Sequence, residues 1–60
     1  MKLYEIKAGD VFWFNNIKYQ AIKDSYKALD GVTWVEANGP DGFFKIGCKG
    51  GGLEFKTDDA

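Results

Sequence analysis

The sequence predicts an all-β domain: a small antiparallel meander, a bent sheet or partial barrel of five to six short strands. Three observations predict it. Residues 10–22 read Asp-Val-Phe-Trp-Phe-Asn-Asn-Ile-Lys-Tyr-Gln-Ala-Ile, two strand-like runs around a two-residue turn signal. Gly, Asn, Asp and the single Pro recur as turn punctuation roughly every 6–10 residues. Five Phe, three Tyr and two Trp supply large side chains to a chain of 60 residues. That length makes one domain, residues 1–57, with a short polar tail at 58–60. A chain this small buries only about 60% of its unfolded surface, and the aromatic content offsets the small core.

Lys2 to Lys7 reads as a first strand with Tyr4 and Ile6 on one face. Ala8-Gly9-Asp10 is a turn. Asn tolerates the positive φ of a two-residue hairpin loop, so Asn15-Asn16 pairs Phe14 with Ile17 and Phe12 with Tyr19. On the opposite face it pairs Trp13 with Lys18 and Val11 with Gln20, because side chains alternate with period two. Lys23 to Asp30 allows two readings. One is a strand, or irregular strand, ending at Asp30-Gly31, favoured by analogy with the flanking hairpins. The other is a short helical turn capped by Asp24 or Ser25. Gly31 to Ala37 is a strand with Val32, Trp34 and Glu36 on one face and Thr33, Val35 and Ala37 on the other. Asn38-Gly39-Pro40-Asp41-Gly42 is turn chemistry, Gly42 to Lys49 a strand, Gly50-Gly51 a hairpin turn and Gly52 to Thr57 the closing strand.

A five-residue loop at 38–42 pairs Trp34 with Ile46 and Val32 with Cys48. A two-residue loop at Gly50-Gly51 pairs Cys48 with Leu53 and Ile46 with Phe55. The expected core is therefore Tyr4, Ile6, Phe12, Phe14, Ile17, Tyr19, Ala21, Val32, Trp34, Phe44, Ile46, Cys48, Leu53 and Phe55. In that register Glu36 faces Phe44, which a bulge near Ala37 would relieve, and Lys45 faces Lys56. Trp34→Ala would then cost roughly 3–5 kcal/mol. The outer face carries Val11, Trp13, Lys18, Val35, Phe43 and Lys45, the candidate partner-binding residues. Its apolar and aromatic composition is that of an interface core.

The residue palette argues against catalysis. With no His, one Ser (Ser25) and one Cys (Cys48), Ser-His and Cys-His pairs are impossible within the chain. Zinc lacks ligands for the same reason. Asp10, Asp24, Asp30 and Asp41 are scattered one to a turn, where carboxylates serve turn hydrogen bonds. Asp58-Asp59 reads as a solvated tail. Cys48 falls on the core face and reads as an inert thiol. Gly47 to Gly52 lacks the spacing and following helix of a phosphate loop. No metal, cofactor or disulfide is expected.

The net charge is −1 and all eight basic residues are Lys. That balance gives no electrostatic reason to approach nucleic acid, and the absence of Arg removes the usual bidentate reader of phosphate and guanine. No apolar run is long enough to span a membrane. The sequence reads as a cytosolic protein with its natural start at Met1.

Ala8-Gly9-Asp10-Val11-Phe12, a tight turn and Tyr19 in the return strand resemble the opening of small SH3-like barrels. The length, Met1 and aromatic composition resemble the short accessory proteins of tailed phages. That resemblance implies a stand-alone SH3-like barrel, in the host cytoplasm if phage-encoded, that binds and blocks one protein. The expected function is thus a non-catalytic protein-binding module, a modulator or inhibitor that acts as a monomer or weak homo-oligomer. The alternatives are a nucleic-acid-binding SH3-like or OB-like barrel and a subunit that self-associates through a sheet edge or the Trp13 face.

Overall fold

The Asn15-Asn16 turn forms as the alternation requires. Both residues are left-handed, with φ +51° and +64°, the geometry that matches strand twist in a two-residue loop. Strands β1 (Val11–Phe14) and β2 (Ile17–Ala21) consequently pair Phe14 with Ile17, Trp13 with Lys18, Phe12 with Tyr19 and Val11 with Gln20. A computed structural model describes residues 1–58 and adds β3 (Tyr26–Lys27), β4 (Val32–Gly39) and β5 (Gly42–Lys49). The five antiparallel strands form a curled half-barrel. Across it the order is β1, β2, β4, β5, and β3 continues the line of β2 along the same edge of β4.

Within residues 23–30 only Tyr26–Lys27 are strand, preceded by a bend and followed by a turn, and no helical turn forms. Ala21 pairs with Ala37 and Tyr26 with Trp34, so residues 22–25 bulge out over residues 35 and 36. The bulge is tied to the N-terminal segment. The Asp24 carboxylate accepts from the Ala8 N–H at 2.8 Å, and the Ser25 N–H donates to the Ile6 carbonyl at 2.9 Å. The following turn closes when the Gly31 N–H donates to the Ala28 carbonyl at 3.1 Å. Gly31 is left-handed at φ +84° and Ala28 then bonds Val32, a three-residue loop with a glycine bulge.

The turn between β4 and β5 departs from expectation by one residue. Pro sets φ for the first central position of a turn, so Pro40-Asp41 alone makes the loop and Gly39 pairs with Gly42. Asn38 stays in the strand. A one-residue slip moves every side chain of a strand to the other face. Trp34 therefore faces Gly47 rather than Ile46, and Val35 faces Ile46. Thr33, Val35 and Ala37 are buried, whereas Val32, Trp34 and Glu36 lie on the convex outer face. The shift removes the expected Glu36–Phe44 conflict without a bulge, because Glu36 now faces Lys45.

The two ends of the chain also differ from expectation. Residues 2–7 do not form a strand. Leu3–Glu5 is a single 3-10 turn, which puts Leu3 and Ile6, three apart, on the same buried side and leaves Tyr4 54% exposed. Gly50 and Gly51 are both left-handed, φ +78° and +71°, but the chain does not fold back on β5. It crosses to the N-terminal segment and β1 instead. The Leu3 N–H bonds Leu53, Phe55 bonds Met1, and the Trp13 N–H bonds Lys56 at 2.8 Å. Cys48–Leu53, Ile46–Phe55 and Lys45–Lys56 are thus not partners.

The core holds Leu3, Ile6, Phe12, Tyr19, Ala21, Val35, Ala37 and Phe55, with Phe14, Ile17, Phe44, Ile46, Cys48 and Leu53 packed against it. Phe12 and Phe55 rings lie 4.8 Å apart, and Tyr19 stacks on Phe44 at 4.1 Å. Of the expected core, Tyr4, Val32 and Trp34 are outside this cluster.

Candidate functional site

The convex face is built of rows of side chains across the paired strands. Val11, Gln20, Asn38 and Phe43 form one row. Trp13 and Lys18 lie beyond it toward the turns, and Glu36 with Lys45 lies on the other side. Trp34, flanked by Tyr26 and Gly47, comes next. Five of the six expected binding residues, Val11, Trp13, Lys18, Phe43 and Lys45, therefore share this face. Val35 does not: it is fully buried, because the Pro40-Asp41 turn inverts β4. Phe43 is the most exposed of the four aromatic or aliphatic candidates, at 62%.

Around Trp13 two charged groups converge. The Lys18 ammonium sits 5.9 Å from the ring centroid. The indole N–H donates to the Asp58 carboxylate, and Lys18 pairs with the same carboxylate at 3.2 Å. The Trp13 hydrogen bond, then Lys18, holds the Asp58 carboxyl below its ordinary value of 3.8. Asp58, expected in the frayed tail, is thereby attached to the sheet. Asp59 and Ala60, the rest of that tail, lie outside the described residues. Beside Trp13 a cleft of about 260 Å³ is lined by Phe14, Asn15, Asn16, Glu54 and Lys56. Glu54 accepts from the Met1 ammonium at 2.7 Å, which lowers its pKa.

Around Trp34 the arrangement is built into the sheet. The indole lies flat over Gly47, where a Cβ would collide with its six-membered ring. Lys45 covers it from the other side, 4.8 Å from the centroid. Tyr26 donates its hydroxyl proton to Glu36, and that bond raises the phenol pKa above 10.0. Lys23 sits 4.9 Å over the Tyr26 ring. Each exposed lysine–aromatic contact contributes about 0.5–1 kcal/mol. Sequence reasoning missed Trp34, Tyr26 and Glu36 as surface residues. The available signal was the conflict of Glu36 against Phe44, which a one-residue shift resolves.

Three of the four turn aspartates, Asp10, Asp24 and Asp30, accept backbone hydrogen bonds. Asp10 accepts from the Lys7 N–H at 2.9 Å and Asp30 from the Val32 N–H at 3.0 Å. Among the described residues no three His, Cys, Asp or Glu side chains converge as a metal site, and no helix is long and apolar enough to cross a membrane. Cys48 is a half-buried free thiol at the rim of the core. No family model matches the chain, and neither a curated protein nor a solved structure is significantly similar to it.

Proposed function

We propose that this protein is a non-catalytic protein-binding module that acts by occupying a surface of its partner with the convex face. One observation carries the reading: half-buried Trp13 and Trp34 and exposed Phe43 share one face of the sheet, with Lys18 and Lys45 beside them. Interface cores favour large aromatics, and a few of them carry most of the affinity. The polar side chains of Gln20, Asn38 and Glu36 between them supply orienting hydrogen bonds. A modulator or inhibitor of a host protein, as the resemblance to phage accessory proteins implies, would work this way from the cytoplasm.

The test is capture of a partner from lysate with the intact protein, followed by titration of that partner against variants. Trp13→Ala should weaken binding by at least about 2 kcal/mol, the usual hot-spot threshold, with the far-UV spectrum unchanged. Unchanged affinity in both Trp13→Ala and Phe43→Ala would remove this face from the reading. The second reading, single-stranded nucleic acid, rests on the three lysine–aromatic pairs, which suit base stacking. Tight oligonucleotide binding that falls steeply with salt would establish it in place of the first.

A further inference from the structure

We propose that the open edge of β5 is a self-association site, and that its occupant is β5 of a second copy, paired antiparallel about a two-fold axis at Ile46. The main-chain ladder identifies which groups are open. The Glu36 and Val32 carbonyls accept from Ile22 and Ala28, on the β2–β3 side of β4. The Gly31 carbonyl accepts from Gly50 instead. Ladder bonds alternate along a strand, so the odd-numbered residues of β4 bond β5, at residues 42, 44, 46 and 48. The N–H and C=O groups of Phe43, Lys45, Gly47 and Lys49 therefore point away from β4. Among the described residues they meet no other strand.

The core is open on the same side. Val35 and Ala37 are fully buried, but their partners Ile46 and Phe44, with Cys48, are only half-buried. A strand added along β5 would cover them. An unpaired edge of eight residues is long enough to template such a strand.

Charge selects the occupant and its register. Directly opposed like charges are unfavourable in an antiparallel pair. A two-fold axis at Lys45 would set that lysine against itself, and one at Gly47 would set Lys45 against Lys49. An axis at Phe44 or Cys48 leaves part of the strand unpaired. The axis at Ile46 alone pairs residues 43–49 throughout without opposing lysines. On the convex side it places Phe43 beside Lys49 of the second copy and Lys45 beside Gly47. On the core side it places Phe44 against Cys48 and Ile46 against Ile46. The interface is self-complementary, as a two-fold dimer requires. Its bonds come from the main-chain edge of the sheet, and along that edge it shares Phe43 and Lys45 with the convex face proposed above to bind a partner.

Oligomeric mass tests it independently of any partner. Light scattering should read twice the chain mass of 6.7 kDa as concentration rises to the millimolar range. Lys49→Pro is the blocking variant. The Gly51 N–H closes a turn on Cys48, and Gly50 has φ +78°, so position 49 is where this turn type accepts Pro. Only an outward N–H is lost. Dissociation should strengthen about tenfold or more through the lost symmetric hydrogen bonds, with the far-UV spectrum retained. Ile46→Cys in a Cys48→Ser background reads the register. It should form a disulfide-linked dimer on mild oxidation, whereas native Cys48, roughly 13 Å from its counterpart across the axis, should not. A constant monomer mass, a folded Lys49→Pro dimer of unchanged affinity, or cross-linking through Cys48 instead would each overturn the proposal. A partner peptide that adds to β5 while the protein stays monomeric would assign the edge to another occupant.

Discussion

Trp13 and Trp34 occupy the same face and are held by different means. Trp34 stands in the middle of the sheet, seated on Gly47 and roofed by Lys45, both on β5. Its position is set by the register of β4 against β5. Trp13 stands on the first strand, and its indole N–H is held by Asp58, 45 residues away in sequence. Its position depends on the C-terminal segment lying against β1 through the Trp13–Lys56 bridge. One face thus combines a rigid anchor with an adjustable one. A glycine seat has no side chain to move, whereas the pair Lys18–Asp58 is about half exposed, at 54% and 52%, and such pairs contribute little.

The sharpest control on this comparison lies next to Trp13. Phe12 is its chain neighbour on the opposite face and is fully buried. Phe12→Ala should cost roughly 3–5 kcal/mol in chemical denaturation, close to the whole stability of so small a domain, whereas Trp13→Ala should leave the fold intact. Equal losses would mean that Trp13 is part of the core.

Gly47→Ala attacks the seat of Trp34. The new methyl collides with the ring, and overpacking of this kind costs about 1–3 kcal/mol. In a Trp34→Ala background the same substitution should cost far less, since the obstacle is gone. A double-mutant cycle measures that coupling, and additive losses would deny the contact. Trp34→Ala alone should cost about 1–2 kcal/mol, as a cross-strand, half-exposed aromatic does, instead of the 3–5 kcal/mol of a core tryptophan.

The smallest effect is reserved for the Trp13 side. The folded Asp58 pKa is depressed, so its contribution is present above the ordinary carboxylate value of 3.8 and is lost as pH falls through the lower folded value. Trp13 emission should change in that acidic window, and Asp58→Asn should abolish the transition. Trp34→Phe removes the second indole so that the signal reports one site. A transition that survives in Asp58→Asn would assign it to another group.

The two hairpins explain how much of this was legible in the residues. Around Asn15-Asn16 the turn, the alternation and the hydrophobic count all specify one register, and every pair from Val11–Gln20 to Phe14–Ile17 follows. Around residues 38–42 five turn-forming residues stand in a row, and local chemistry does not say how many of them leave the ladder. Counting all five inverts β4 and places Trp34 inside and Val35 outside. Hydrophobic pattern could not correct the count, because both faces of that strand carry apolar side chains.

The short-range interactions of the chain determined its all-β class, the β1–β2 register with its Asn15-Asn16 turn, and the core faces of β1, β2 and β5. These depend on residues close in sequence, where turn geometry and period-two alternation act directly. Three features were decided only by the tertiary structure: the face of β4, the 3-10 turn that buries Leu3 and Ile6, and the path of residues 53–56 to β1 rather than back onto β5. The last two depend on contacts between segments far apart in the chain, and the first on a turn whose length its own residues leave open. The Glu36–Lys45 and Trp34–Gly47 pairings are met together only when Gly39 closes on Gly42. Phe55 reaches Phe12 only because the Gly50-Gly51 turn sends the last segment across the open end of the half-barrel to the first strand.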